Sequence, residues 1–517
     1  MIINGRFRSY FIEGGLHYPI GMRDMLVLLS VLLGISPAAA AGLQKAALDR
    51  LFDNAALPTQ APEQVRALPA APLDPLAARL LDADASLKRD PVWPGFRILA
   101  QPVLLYEVGQ EKTLLIGHPS PPAGYKVVAV SPITVFEKNG AFDLEGPFDY
   151  HLSLNGSDTF AYRVEPGHDP IQTARVVTHE RFHVFQEKAF SRYRHGEPSF
   201  NVGAKTIALA ALEQRALGQA LLADKVADRL SYAFMFVAIR ESRYEKDVDR
   251  LRIVEESEEQ VEGMARYVDQ RTLQRLATPA KPHSVRNLVD VLQMLPDQER
   301  LLKWRLYETG AGQGFLLDQT SMAATWKAKV AAGTPVFELM RQAFPLNAAD
   351  RANRLREAQA FLDYAGLLQE AKAQVRETTA TREAALRAFE SAPGLDLSVP
   401  LPWKEEDPIA MSFTNEGPEF HLDAHVTLFT KMGVYEATGR GFLLRVHDRA
   451  IMDGDGDLRF HTGKDVRILL DSRQSTAGDG TFKFQAISIT EPGLELRVDR
   501  AGSLTIQGKQ LKVLWDL

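Results

Sequence analysis

From Pro170 to about Pro393 the chain reads as one unbroken helical block, and nothing else in its 517 residues constrains the fold as strongly. Ala, Leu, Glu, Gln and Arg dominate, and apolar residues recur at three- and four-residue spacing, the pattern of amphipathic helices. The runs Ile207 to Ala227, Arg250 to Leu276 and Ala365 to Ala392 carry it most clearly. Pro393-Gly394 and Pro400-Leu401-Pro402 then stop the helices. On both sides the grammar changes. From Trp93 to about Val164 short apolar runs, such as Val103-Leu104-Leu105-Tyr106 and Val127-Val128-Ala129-Val130, are punctuated by Pro119, Pro121, Pro122, Gly124, Gly140 and Gly146. From about 403 to 517 the sequence alternates, as in Phe482 to Ile489 and Leu494 to Val498, with Asp-Gly turns at Asp453-Gly454, Asp455-Gly456 and Asp479-Gly480. The expected fold is α+β and multidomain. A strand-rich segment (93–169) leads into a mainly helical domain (170–395), and an antiparallel β-sandwich (403–517) follows.

The N-terminus predicts export. Met22-Arg23-Asp24 precedes an apolar run from Met25 to Ile35, then Ser36-Pro37 and the small residues Ala38 to Ala41. A charged start, a short apolar core and an A-x-A stretch make residues 1–41 a secretory signal peptide, with Met22 a possible true start. A transmembrane span needs about 20 apolar residues, and this run is little more than half that. The mature protein is therefore expected to be periplasmic or secreted, with no membrane span after signal cleavage. Residues 42–92 follow as a helical and Pro-rich leader. It has a helix from Leu43 to Phe52, a connector holding Pro58, Pro62, Pro69, Pro72 and Pro75, and a short second helix near Ala77 to Asp84. Such proline density suits a semi-extended leader better than a core.

Charge and cysteine narrow the chemistry. With 60 Lys+Arg against 66 Asp+Glu the net charge is −6 and the pI about 6.1, which gives no electrostatic footprint for nucleic acid. The chain has no cysteine, so disulfides, thiolate nucleophiles and thiolate metal sites are excluded. Any metal must be held by histidine and carboxylate.

One pentapeptide offers that donor set: His179-Glu180-Arg181-Phe182-His183. It lies in Ile171 to Phe190, whose composition suits a helix. There, positions i and i+4 share a face with Cβ atoms about 5–6 Å apart, close enough for both imidazoles to reach one ion. Glu180 would stand beside that ion, where it can take a proton from water. With 12 histidines in 517 residues, an H-E-x-x-H string arises by chance in only about one or two such chains per hundred. A catalytic zinc wants a third protein ligand and one open position. Glu255, Glu256, Glu258 and Glu259 read mainly as a solvated helix face. Glu262 differs, because Gly263 follows it in mid-helix, and glycine there costs about 1 kcal/mol unless two backbones must approach closely. Glu213, in Ala211-Leu212-Glu213-Gln214-Arg215, is the competing carboxylate.

His179-Glu180-x-x-His183 followed by Glu262-Gly263-x-Ala265-x-Tyr267 resembles the gluzincin metallopeptidases, above all their aminopeptidase-type branch, in which an E-G-x-A segment supplies the third zinc ligand. Tyr307-Glu308-Thr309-Gly310-Ala311 is similar to the helix start whose tyrosine stabilises the tetrahedral intermediate in that branch. The resemblance covers three segments between about 170 and 320. It implies a zincin-like catalytic domain holding Zn2+ through His179, His183 and Glu262, with Glu180 as general base and Tyr307 as oxyanion donor. It also implies a peptide or protein substrate. The chain departs from the branch in the long helical insertion between His183 and Glu262, and in lacking a G-x-M-E-N segment for a free amino terminus.

Three other motifs carry less. His421 and His425 sit in strand-like sequence, where four residues span about 13 Å, too far for one ion. Asp453 to Asp457 lacks the glycine and glutamate of a calcium loop and reads as a hairpin turn. Gly310-Ala311-Gly312-Gln313-Gly314 follows no strand, so its small residues suit close helix packing rather than a phosphate cradle. Beside the peptidase reading stands one from another class: a non-catalytic binding or assembly protein that retains a peptidase-like metal domain.

Overall fold

The computed structural model describes residues 73–140, 152–191, 202–246, 250–276, 285–297, 300–401 and 410–515, apart from 424, 455–456, 464 and 475–477. The expected signal peptide (1–41) and residues 42–72 of the expected leader lie outside the described residues. Among the described residues the architecture is mixed α and β, with two sheets.

Helix α1 (Pro75–Arg89) starts on Asp74, whose side chain accepts the Leu76 N–H at 2.8 Å, with proline in the first turn. Strands β1 (Val103–Glu107), β2 (Lys112–Ile116), β3 (Lys126–Ala129), β4 (Val135–Asn139), β5 (Leu152–Leu154) and β6 (Ser157–Val164) form one sheet in the order β3-β4-β2-β1-β6-β5. Strands β1 and β6 run parallel, Val103 opposite Phe160 through Glu107 opposite Val164, and every β1 residue is buried.

The helical block follows as α2 (Pro170–Ala189), α3 (Ala204–Leu222), α4 (Val226–Lys246), α5 (Leu251–Glu258), α6 (Met264–Leu276), α7 (Arg286–Leu292) and α8 (Arg305–Leu317). It continues through α9 (Trp326–Ala331), α10 (Val336–Ala343), α11 (Ala348–Phe361) and α12 (Tyr364–Glu390). Two π-turns interrupt it: Glu259–Gly263 joins α5 to α6, and Arg300–Trp304 leads into α8. Among the described residues no helix is long and apolar enough to cross a membrane.

Sheet and helices share one core, and α1 belongs to it. Leu76, Leu80, Ala83 and Leu87 recur on one face and are buried there, and the helix packs on α2 and α6. Asp84, also buried, receives Arg97 at 2.6 Å and the Leu99 N–H at 3.0 Å. This part of the 42–92 stretch is therefore core and not leader. Its four-residue apolar repeat gives it a face to bury, which the prolines preceding it do not remove.

The C-terminal region is built of strands, as the alternating sequence implies. Its thirteen strands hydrogen-bond into a single curled sheet around a core that includes Leu397, Phe460, Leu444, Leu496 and Val513. The curl comes from a long hairpin, Thr427–Gly439 with Phe442–Gly454. The first part of Phe442–Gly454 pairs with Leu494–Val498 and its end pairs with Asp457–His461, so one strand serves both arms. The alternating run Phe482 to Ile489 is likewise split into Gly480–Phe484 and Ile487–Glu491, which join different neighbours. Asp471 makes the break by accepting both the Gln485 and Ala486 N–H groups. Asp453-Gly454, expected as a turn, instead ends the strand Phe442–Gly454 and pairs with Asp457-Leu458, while Asp455-Gly456 lies outside the described residues.

Candidate metal centre

The H-E-x-x-H segment lies on α2, capped by Asp169, which accepts the Ile171 N–H at 2.7 Å. The helix is fixed by the residues between its histidines. Phe182 is fully buried and packs edge-on to Trp93 (5.2 Å between centroids) and Phe96 (5.1 Å). Arg181 donates to the Ile98 carbonyl at 3.1 Å and to Gln101 Oε1 at 2.6 Å, tying the helix to the segment before β1. With that face anchored, His179 and His183 point the other way, their rings 4.8 Å apart.

Glu262 meets them from the π-turn between α5 and α6. Its Oε2 is 3.2 Å from His179 Nε2 and 3.2 Å from His183 Nε2, and the three donor atoms all lie within 4.8 Å of one another. Gly263 explains how the turn reaches this place. A Cβ there would lie 2.7 Å from Gly310 Cα and 3.0 Å from the Leu306 carbonyl, so backbone touches backbone between the Glu262 segment and α8. The same contact brings Tyr307 to the site, its ring parallel to that of His179 (5.8 Å, 4°) and its phenol close enough to Glu262 to feel its charge.

The remaining ring nitrogens are taken by partners that sequence reasoning missed. His179 Nδ1 is 3.2 Å from Asp269 Oδ2, and Asp269 is itself braced by Arg266, which also reaches Glu308. His183 Nδ1 is 2.9 Å from Gln186 Oε1, while the Gln186 amide donates to the Gln260 and Val261 carbonyls of the π-turn. Each imidazole is thus oriented from behind with Nε2 turned to the shared point, the arrangement that orients metal-ligating histidines. The spacings carried a signal: Asp269 lies two helical turns beyond Glu262, and Gln186 one turn beyond His183.

The electrostatics are those of a tightly coupled cluster. Burial opposes charge on His179, but the hydrogen bonds to Asp269 and Glu262 outweigh it and lift its pKa to about 10. His183 is raised despite burial by the Glu262 carboxylate, and Glu262 is held well below the ordinary range by the two histidines. Burial pushes the Glu180 carboxyl up, with the histidines opposing. Burial and then Glu262 keep the Tyr307 phenol protonated far above neutrality.

Two imidazoles and one carboxylate, with two donor spacings of 3.2 Å and all three donor atoms within 4.8 Å of one another, form a group that could hold a metal ion and leave further positions open.

Glu213 is elsewhere. It is fully buried and bound by Arg240 and Arg243, each at 2.5 Å, with Arg305 at 3.4 Å. The glutamates read as a solvated face also separate. Glu255 is buried against Arg243, Arg305 and Tyr244, and Glu259 against Arg240. Arginines distant in sequence enter from α4 and α8, which the local pattern could not reveal. Glu256 pairs with Arg252 at 2.8 Å, and Glu258 stands half-buried near Glu262, its carboxyl raised to about 7 first by burial. His421 ends a strand, where it contacts Thr427 and Glu419. No protein-family model, curated protein or solved structure matches the chain.

Proposed function

We propose that this protein is an exported zinc-dependent peptidase, similar to the gluzincins, with His179, His183 and Glu262 as metal ligands. On this reading residues 93–395 form a zincin-like catalytic unit, and the curled C-terminal sheet is a sandwich-type accessory module. The observation that carries it is the convergence of His179 Nε2, His183 Nε2 and Glu262 Oε2 on one point, with both Nδ1 atoms bonded behind.

Zinc bound there would supply a Lewis acid that brings the pKa of water toward neutrality and polarises a carbonyl oxygen. The chain's own residues do the rest. Glu180 directly follows the first ligand and is half-buried, so its carboxylate can accept a proton from the attacking water and return it to the leaving amine. Tyr307 keeps its proton and stands over His179, so its hydroxyl can donate to a developing oxyanion.

The test is peptide-library cleavage by zinc-loaded protein, read by mass spectrometry. Glu180→Gln should keep its zinc and lose cleavage by ~10²–10⁴-fold, the usual weight of a general base. Cleavage at the unmodified rate in that variant would remove Glu180 from the mechanism.

A further inference from the structure

Beside the candidate centre lies a cluster of buried charges that the proposed chemistry does not use. Glu213, Arg240, Glu255, Glu259 and Arg305 are each buried to 1% exposure or less, with Arg243 at 8%. Buried ion pairs seldom stabilise a fold more than apolar residues of the same size, because desolvation consumes most of the attraction. A stability role alone therefore accounts poorly for so many. Their placement suggests another.

Glu259 is the first residue of the π-turn that presents Glu262. Its Oε1 accepts the Thr309 hydroxyl at 2.5 Å, and its Oε2 accepts Arg240 Nη1 and Gln313 Nε2, both at 2.7 Å. Thr309 and Gln313 belong to α8, the helix that carries Tyr307. Arg240 is held in turn by Glu213. The next residues of the turn are tethered as well. Gln186 of α2 donates to the carbonyls of Gln260 and Val261, and the Gln260 side chain donates to the Val330 carbonyl at 2.9 Å. A π-turn is a rare feature of helices that recurs at functional sites, and this one is tethered by side chains from outside it.

We propose that Glu259 is a positioning residue for the metal centre: its carboxylate locks the turn carrying Glu262 to the helix carrying Tyr307. The inference rests on the zinc reading. Arg240, held in turn by Glu213, is the fixed base of that lock.

Two matched variants and one direct one test it. Thr309→Val removes a hydroxyl from Glu259, and Tyr244→Phe removes one from Glu255 (2.8 Å), at the far side of the same cluster. Zinc affinity is measured by competition with a chromophoric chelator, and ligand geometry by the visible absorption of cobalt-substituted protein. Glu259→Gln should weaken zinc binding ~10–100-fold, as loss of a supporting partner does. Thr309→Val should weaken it several-fold with an altered cobalt spectrum, and Tyr244→Phe should change neither, although both cost stability. Should Glu259→Gln not fold, the matched pair decides alone. Unchanged affinity and spectrum in Thr309→Val, or an equal change in Tyr244→Phe, would overturn the positioning role while leaving the zinc reading intact. Failure of the unmodified protein to bind zinc would overturn both.

Discussion

Gly263→Ala tests how closely the centre depends on backbone contact. A new Cβ would lie 2.7 Å from Gly310 Cα and 3.0 Å from the Leu306 carbonyl. Ordinary contact between carbons needs about 3.5–4.0 Å, so the π-turn and α8 must part by ~1 Å. Two effects compete. Alanine gains about 1 kcal/mol of helix propensity over glycine. Overpacking a filled core costs ~1–3 kcal/mol, and here both obstructing groups are backbone, which no rotamer change can move. The upper end of that range applies, so the variant should lose ~1–2 kcal/mol net. In a chain of this size that is a fall of roughly 1–3 °C in Tm. The same ~1 Å displacement carries Glu262 away from two histidines fixed on α2, so zinc affinity should drop at least tenfold. Differential scanning fluorimetry and chelator competition read the two effects. Gly203→Ala, whose Cβ meets nothing within 4 Å, is the control and should bind zinc normally. A Gly263→Ala protein that melts no lower and binds zinc as tightly as the unmodified protein would refute the reasoning.

Asp269→Asn removes the carboxylate behind His179 and should weaken zinc binding by ~10–100-fold in the same titration; an affinity within twofold of normal would show that Asp269 does not orient the ring. Glu213→Gln leaves Arg240 and Arg243 short of a partner in the interior and should cost ~3–5 kcal/mol near neutral pH by urea denaturation. Burial alone would raise the Glu213 carboxyl, yet Arg240, Arg243 and Arg305 outweigh it and hold it at about 2. A depressed pKa contributes stability above the unfolded value of about 4.3, and that contribution is lost as pH falls through about 2. The gap between Glu213→Gln and the unmodified protein should therefore narrow from about pH 4 downward, and a gap independent of pH would contradict the assignment.

Much of this was legible in the sequence because it is local. The helical block shows its period, and the runs from Arg250 and Ala365 match Leu251–Leu276 and Tyr364–Glu390 closely. His179 and His183 meet because helical spacing alone places them on one face. Gly263 gave away the contact with α8 because an unsubstituted position in mid-helix asks for a close neighbour, and Gly310 is that neighbour. What stayed hidden depends on residues far apart in sequence. Glu255 and Glu259 look like a wet surface until Arg240, Arg243 and Arg305 arrive from other helices. The curled sheet hides for a similar reason, since alternation marks Phe442–Gly454 as a strand but not that its two ends pair with different neighbours. The helix near Ala77 to Asp84 is read from the sequence and found as Pro75–Arg89, but its burial is not, because the prolines before it suggest an extended leader.

Three donor atoms around one point carry the proposed activity. Zinc content of the purified protein, measured by inductively coupled plasma mass spectrometry after dialysis against a weak chelator, tests it most directly. The prediction is one zinc per chain in the unmodified protein, and none retained in His183→Ala or Glu262→Ala with the fold intact by circular dichroism. Folded Glu262→Ala that keeps a full equivalent of zinc, or unmodified protein that holds none, would contradict it.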